Sequence, residues 1–437
     1  MIPDPGTQDA ASNAREPQKS IDDRQGGEFQ LFPNRRVSWA GTSNATPNAW
    51  TELAATRRAS GLPLQDLTIS NPTLAGFGDA ELPLHLAFAS APSFVYSPDP
   101  QGTLAAREAI AAWYADRTPR APSIRLPPER ILLTASSSES YAFLFQALCE
   151  PGDEVLAPFP SYPLFEYLAG LSGIRLASFR LWYHEGWEID FDSLKRTITP
   201  RTRAIVVVNP NNPTGSYLKE SEKRQLLEIC AAYRLALIAD EVFEEFPLEA
   251  AVDERVSFAS SQRQALCISL GGLSKSAGLP QMKLGWMILN GPDAAVNALR
   301  ERLLLVADTY LSVSTPVQAA LPGLLGFGRA VGGAIRSRLE ANLSLLKEAA
   351  TSAPHLDLLP VGGGWSAVLR LPAILSDTQW CAGLIQEAGV LVHPGYLCDF
   401  EEEARLVVSL LTNPANFEPG VEQLRAHVER TVRRMVP

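Results

Sequence analysis

Residues 204–243 read AIVVVNPNNPTGSYLKESEKRQLLEICAAYRLALIADEVF. A β-branched run, AIVVV, stops at a cluster of Asn, Pro and Gly, the residues that favour turns. A helical pattern follows from Leu218 to Arg234, and a second apolar run, LALIA, ends at Asp240. Two short strands without polar alternation, joined through a helix, describe a parallel sheet buried on both faces. The same alternation extends outward over about residues 130–290. RILLTA, DEVLAP, IRLASF, LCISLG and KLGWMIL are the other candidate strands, with helical patterns at Glu139–Cys149 and Ala294–Ala307. The expectation is an α/β fold with a mainly parallel seven-stranded sheet and helices on both faces. After about Gly328 a long helix pattern (AIRSRLEANLSLLKEAATSA) precedes GGGWSAVLRL, GVLVHPGY and RLVVSLL. That order predicts a smaller α+β domain from 329–437, joined by 37–72, beside a large domain of 73–328. Residues 1–36 are polar and read as a disordered tail without a signal peptide.

Composition narrows the function. In 437 residues, hydrophobic side chains make up 46% and charged ones 20%, as in a globular enzyme with two cores. A net charge of −10 without a basic block argues against nucleic acid, and no apolar run is long enough to span a bilayer. Five cysteines without a CxxC pair suggest neither a disulfide framework nor a zinc site. The five histidines are scattered, so no metal centre is expected. The reading is a reduced, cytoplasmic protein acting on small molecules.

In parallel sheets the ligand crevice lies beyond the carboxyl ends of the strands, so the residues there carry the chemistry. Lys275, in SLGGLSKSAGLPQMKLGW (residues 269–286), follows a strand end. It is either a surface loop lysine or an amine depressed by burial for covalent work on an aldehyde, with pyridoxal phosphate as the chemistry to test. Asn212 is either a plain turn former or a donor to a ring oxygen. Asp240 serves as a cap or metal ligand, or holds a pyridine nitrogen protonated. Ser136, Ser137 and Ser138 open a helix, either capping it or offering an anion site. Tyr162, in PFPSYP, packs in a core or lies on a flat ring.

Phosphate site, stacking ring, Asn, Asp and Lys thus occur in order, each after a strand of one sheet. In this joint pattern the chain resembles the class I and II aminotransferases, pyridoxal-phosphate enzymes of fold type I, from about Pro63 to Leu410. The resemblance implies that Asn212, from the NPxNPTG motif, bonds the cofactor's ring oxygen and that Asp240 bonds its ring nitrogen. It implies that Lys275 forms the Schiff base and shuttles the substrate proton, with Tyr162 stacking on the ring. Ser137 and Ser138 match residues whose N–H groups hold the phosphate, and Ser274 remains from a serine-rich approach to the lysine. Arg405 matches the arginine that grips the substrate carboxylate, its competing reading being a surface arginine. Tyr96 resembles the tyrosine that reaches the partner subunit's phosphate, implying a homodimer with shared sites.

The departures are specific. Phe243 stands where a tyrosine usually bonds the ring oxygen, and this absence implies a raised pKa for the Schiff-base nitrogen. Lys283 replaces a phosphate-binding arginine, and Gly272 a serine, shifting phosphate binding toward helix N–H groups. Ser70 and Asn71 resemble a glycine-containing substrate loop, with serine narrowing the pocket. The implied activity is transfer of an amino group from an L-amino acid to a 2-oxo acid by a ping-pong route, in amino-acid metabolism or biosynthesis. The alternatives are a pyridoxal-phosphate lyase, decarboxylase or cyclase, or a silent sensor.

Overall fold

The computed structural model describes residues 49–77, 84–89, 98–116, 125–249, 256–260 and 262–435. The expected tail, 1–36, and Tyr96 lie outside the described residues. In chain order the strands are β1 (Gln65–Asp66), β2 (Ile131–Thr134), β3 (Glu154–Phe159), β4 (Arg175–Tyr183), β5 (Trp187–Ile189), β6 (Thr202–Val208) and β7 (Ala236–Asp240). They continue as β8 (Cys267–Gly272), β9 (Gly285–Asn290), β10 (Asp357–Leu358), β11 (Ser366–Arg370), β12 (Val390–Leu391), β13 (His393–Pro394) and β14 (Arg405–Ser409).

Eight strands form the main sheet in the order β2-β9-β8-β7-β6-β3-β4-β5. From β4 to β8 the pairings are all parallel, whereas β9 runs antiparallel between β8 and β2. All seven expected strands are present, and the sheet has one more than expected. The eighth, β5, is a three-residue hairpin return on β4, too short to show a period. Period-2 alternation explains the double burial. Ala204, Val206 and Val208 of β6 meet one apolar cluster with residues of the Ser137–Leu148 and Asp293–Tyr310 helices. Ile205 and Val207 meet another with the Glu220–Tyr233 helix on the opposite face. Each such buried Val or Ile side chain contributes about 1.5–3 kcal/mol relative to exposure.

A second sheet, β10-β11-β14-β13, is antiparallel throughout, and β1 pairs with β12 in parallel. It packs under the Pro414–Met435 helix and the later turns of a 38-residue helix, Thr315–Ser352. That helix begins well before the expected pattern, because Pro322 and five glycines make its first half look like a loop. It also runs unbroken through the expected 328/329 boundary. The glycines serve packing: a Cβ on Gly328 would lie 2.7 Å from Ala277 Cβ, and one on Gly332 3.3 Å from the Ser276 carbonyl. The helix thereby backs directly onto the loop that carries Lys275.

Candidate active site

Parallel pairing places the carboxyl ends of β3, β6, β7 and β8 on one edge, and β2 joins them through β9. Asp240 closes β7 there, and its carboxylate is nearly buried. The Tyr141 hydroxyl donates to Oδ2 at 3.0 Å, and the Val242 N–H donates to Oδ1 at 3.2 Å. Burial nonetheless pushes the carboxyl up to about 6, against the lowering effect of those two donors and of Lys275. Lys275 sits in the four-residue Leu273–Ser276 helix directly after β8, with Ser274 beside it. Burial lowers its pKa, and the Asp240 charge opposes that shift. Its Nζ stands 4.9 Å from the ring centroid of Trp365 and 5.5 Å from that of Phe243. Those two rings meet edge-on at 5.4 Å, so Phe243 forms an apolar wall beside the amine and offers no hydroxyl. Lys275 thus stands against two aromatic rings at the strand ends.

The turn after β6 is held from inside. Asn209 Nδ2 donates to the Val256 carbonyl at 2.7 Å, and Asn211 Nδ2 to those of Pro160 at 3.1 Å and the Thr214 hydroxyl at 2.9 Å. Asn212 differs: its Oδ1 accepts a hydrogen bond from Ser366 Oγ of β11 at 3.1 Å. With the oxygen engaged, the amide NH₂ is the end left to donate. Ser366, Trp365 and Tyr141 were not singled out from sequence. Serine in a strand and aromatics in apolar runs carry no local signal of a site.

At the other end of the crevice Ser136 is the N-cap, its Oγ accepting from the Glu139 N–H at 3.1 Å. Glu139 returns an acceptor to the Ala135 N–H at 2.6 Å. Capping thus occupies Ser136, while Ser137 and Ser138 form the first turn, where backbone N–H groups have no intrahelical acceptor. Gly285 comes close to this turn: a Cβ there would lie 3.2 Å from the Ser136 carbonyl carbon. Lys283, two residues earlier and exposed, is thereby carried to the same edge. Tyr162 follows β3 with half its surface exposed and lines a cleft of about 540 Å³ with Ser161, Phe165, Glu166 and Asp399.

Two substrate candidates come near the crevice along the main chain. Ser409 Oγ donates to the Ile69 carbonyl at 2.6 Å, and Pro72 packs on Gly278, so Ser70 and Asn71 bridge β14 and the lysine loop. Both are exposed, and Asn71 Oδ1 accepts from the Thr73 N–H at 3.0 Å in a turn. Arg405 is not brought to the cluster. It opens β14 opposite Arg370, whereas Ser409 at the other end pairs with Ser366. Four residue steps along the strand separate the two ends by about 13 Å. The Arg405 guanidinium donates to the Glu403 carbonyl at 3.2 Å, and the charges around it are Glu402, Arg370, Asp377 and Asp357.

The chain is similar to known proteins over much of its length. The chain is 32% identical over 273 residues to an alanine aminotransferase of Mycobacterium tuberculosis, covering 62% of each chain. It is 33% identical over 260 residues to the glutamate-pyruvate aminotransferase AlaA of Escherichia coli, covering 60% of this chain and 63% of that one. The aligned part thus spans less than two thirds of these relatives' length. The structure of an aminotransferase from Escherichia coli superposes with a TM-score of 0.77 at 25% identity, covering 92% of this chain and 99% of that one. An alanine aminotransferase from Pyrococcus furiosus shares the fold, with a TM-score of 0.78 at 23% identity over 91% and 100% of the two chains. The family described as aminotransferase class I and II matches residues 79–424, most of the chain, and the protein belongs to that family.

Proposed function

We propose that the protein is a pyridoxal-phosphate-dependent aminotransferase that moves an amino group from an L-amino acid to a 2-oxo acid. The observation that carries this reading is the Lys275 amine, depressed by burial and in charge contact with Asp240, at the strand ends that also present Asn212. The donor set fits the cofactor at three points. Asp240 is a buried anion for the ring nitrogen, Asn212 a donor for the ring oxygen, and the Ser137 and Ser138 N–H groups an anion site for the phosphate, with Lys283 adding charge. When bound, pyridoxal phosphate supplies an electron sink for the substrate's α-carbon. Lys275 Nζ, its pKa lowered by burial, takes the α-proton as general base and returns it as general acid. Asn212, turned by Ser366, donates to the ring oxygen, Tyr162 covers a ring face, and Trp365 and Phe243 exclude water around the amine.

The wider reading follows from the same groups. Residues 73–328 would carry the cofactor, with 37–72 and 329–437 supplying Ser366 and Trp365 across the crevice. We take the protein to be a cytoplasmic homodimer; five free cysteines and, among the described residues, no helix long and apolar enough to cross a membrane support the location. The relatives' names make alanine, glutamate and pyruvate the first substrates to test. Arg405, where it stands, is not the partner of the substrate carboxylate. The departures at Phe243 and Lys283 keep a second reading in view, a pyridoxal-phosphate lyase or decarboxylase.

Absorbance of the cofactor-loaded protein, recorded before and after adding single amino acids without any oxo acid, separates the readings. Loss of the yellow band to the pyridoxamine form, reversed by pyruvate, establishes transfer. Release of ammonia or carbon dioxide without need of an oxo acid selects the second reading, and a protein that cannot be loaded ends both.

A further inference from the structure

Tyr141 is fully buried between Phe165 and Phe145, with ring centroids at 5.3 and 5.9 Å, and its hydroxyl has one acceptor, Asp240 Oδ2 at 3.0 Å. It lies in the Ser137–Leu148 helix, three residues after Ser138 and four after Ser137. Positions at those spacings share one helix face, so a single face presents both the free N–H groups of the first turn and the phenol. We propose that Tyr141 is a positioning residue whose hydroxyl keeps the Asp240 carboxylate ionised and turned toward the ring nitrogen of the bound cofactor. One rigid helix thereby sets the ring-nitrogen end and the phosphate end of the site together.

An ionised carboxylate has about four acceptor positions, and the Val242 N–H and the Tyr141 hydroxyl occupy one on each oxygen. The outer positions remain for the ring N–H. The charges facing Asp240 are Glu241, next in the chain, which favours its protonation, and Lys275 from the loop after β8, which opposes it. Burial outweighs Lys275, and the phenol is the added donor that stabilises the ionised form. A phenol does this without introducing a charge, and its own ionisation is suppressed by burial and then by Asp240. Without it the carboxylate becomes more basic, and the proton shared with a pyridine nitrogen shifts toward oxygen.

The last step rests on the cofactor reading, and the test keeps the two apart. In the unliganded protein the ¹³C-carboxyl resonance of Asp240, identified by its loss in Asp240→Asn, is titrated in wild type and in Tyr141→Phe. The Asp240 pKa rises by about one pH unit or more in the variant, since a hydrogen bond to a charged group is being removed. Replacing Tyr141 by 3-fluorotyrosine, a stronger donor of nearly the same shape, lowers it. In protein loaded with ring-¹⁵N pyridoxal phosphate, the nitrogen resonance of Tyr141→Phe moves toward the unprotonated position while wild type stays protonated. An Asp240 pKa that is unmoved, or that moves the same way in both variants, overturns the role given to Tyr141. If neither protein takes up the cofactor, the proposed function fails, while the carboxyl titration still decides the tyrosine.

Discussion

At the scale of single residues, the site places groups where their ordinary protonation states are unfavourable. Burial raises Asp240 from 3.8 to about 6, so between those values the folded, unliganded protein binds a proton that the unfolded chain releases. Stability from this group is therefore fully present below about pH 4 and falls as the pH rises through about 6, by about 3 kcal/mol in all. Urea midpoints of wild type and Asp240→Asn compared across that window isolate the effect, since other carboxylates cancel. A constant difference would refute it. Phe243 leads to a second expectation. Its ring stands 5.5 Å from the Lys275 amine without a hydroxyl, so Phe243→Tyr introduces a donor that favours the deprotonated Schiff base. The pKa of that nitrogen, followed by absorbance in the loaded protein, drops by about one to two units if the new bond reaches it. An unchanged titration would show that the phenol does not reach.

At the scale of elements, the Thr315–Ser352 helix shows how glycine is used for approach rather than for turning. A Cβ on Gly328 meets Ala277, directly behind the lysine, whereas one on Gly326 meets nothing within 4 Å. The same substitution should thus have opposite signs two residues apart. Gly326→Ala stabilises by up to about 1 kcal/mol through helix propensity. Gly328→Ala gains as much but incurs an overpacking cost of about 1–3 kcal/mol, for a net loss, and also weakens cofactor loading by displacing the lysine loop. Denaturation midpoints of the two variants check the signs, and two stabilised variants would show that the helix and loop are not in contact. The strands of the main sheet were readable from residues alone because burial on both faces forces long apolar runs such as Ala204–Val208. This helix was only half readable, since its glycines and proline are breakers by propensity and are tolerated through contacts with residues far away in the chain.

At the scale of the whole molecule, the crevice is assembled from two sheets. The motif-bearing half, Asn212, Asp240 and Lys275, could be read because each residue lies at a strand's carboxyl end or a few residues beyond it, and parallel pairing brings strand ends together without further information. The other half could not. Ser366 and Trp365 reach the crevice only because β11 pairs with β14 and packs over the main sheet, a long-range arrangement with no local pattern. Register also decided the placement of Arg405, which lies at the opposite end of β14 from the residues that reach the site. This construction makes cofactor binding a measure of how the sheets are joined. A ligand that binds only the folded state at a hundred times its Kd stabilises by about 2.7 kcal/mol, and that gain requires both halves in place. Ser366→Ala removes the bond that turns Asn212 while leaving the main sheet untouched. It should weaken pyridoxal phosphate binding about fivefold to tenfold, the effect of one hydrogen bond, with little change in the stability of the unliganded protein. Thermal shifts measured with increasing cofactor for wild type and Ser366→Ala separate the two quantities. Equal shifts would show that the smaller sheet only covers the site, whereas a reduced shift at unchanged unliganded stability would show that it completes it.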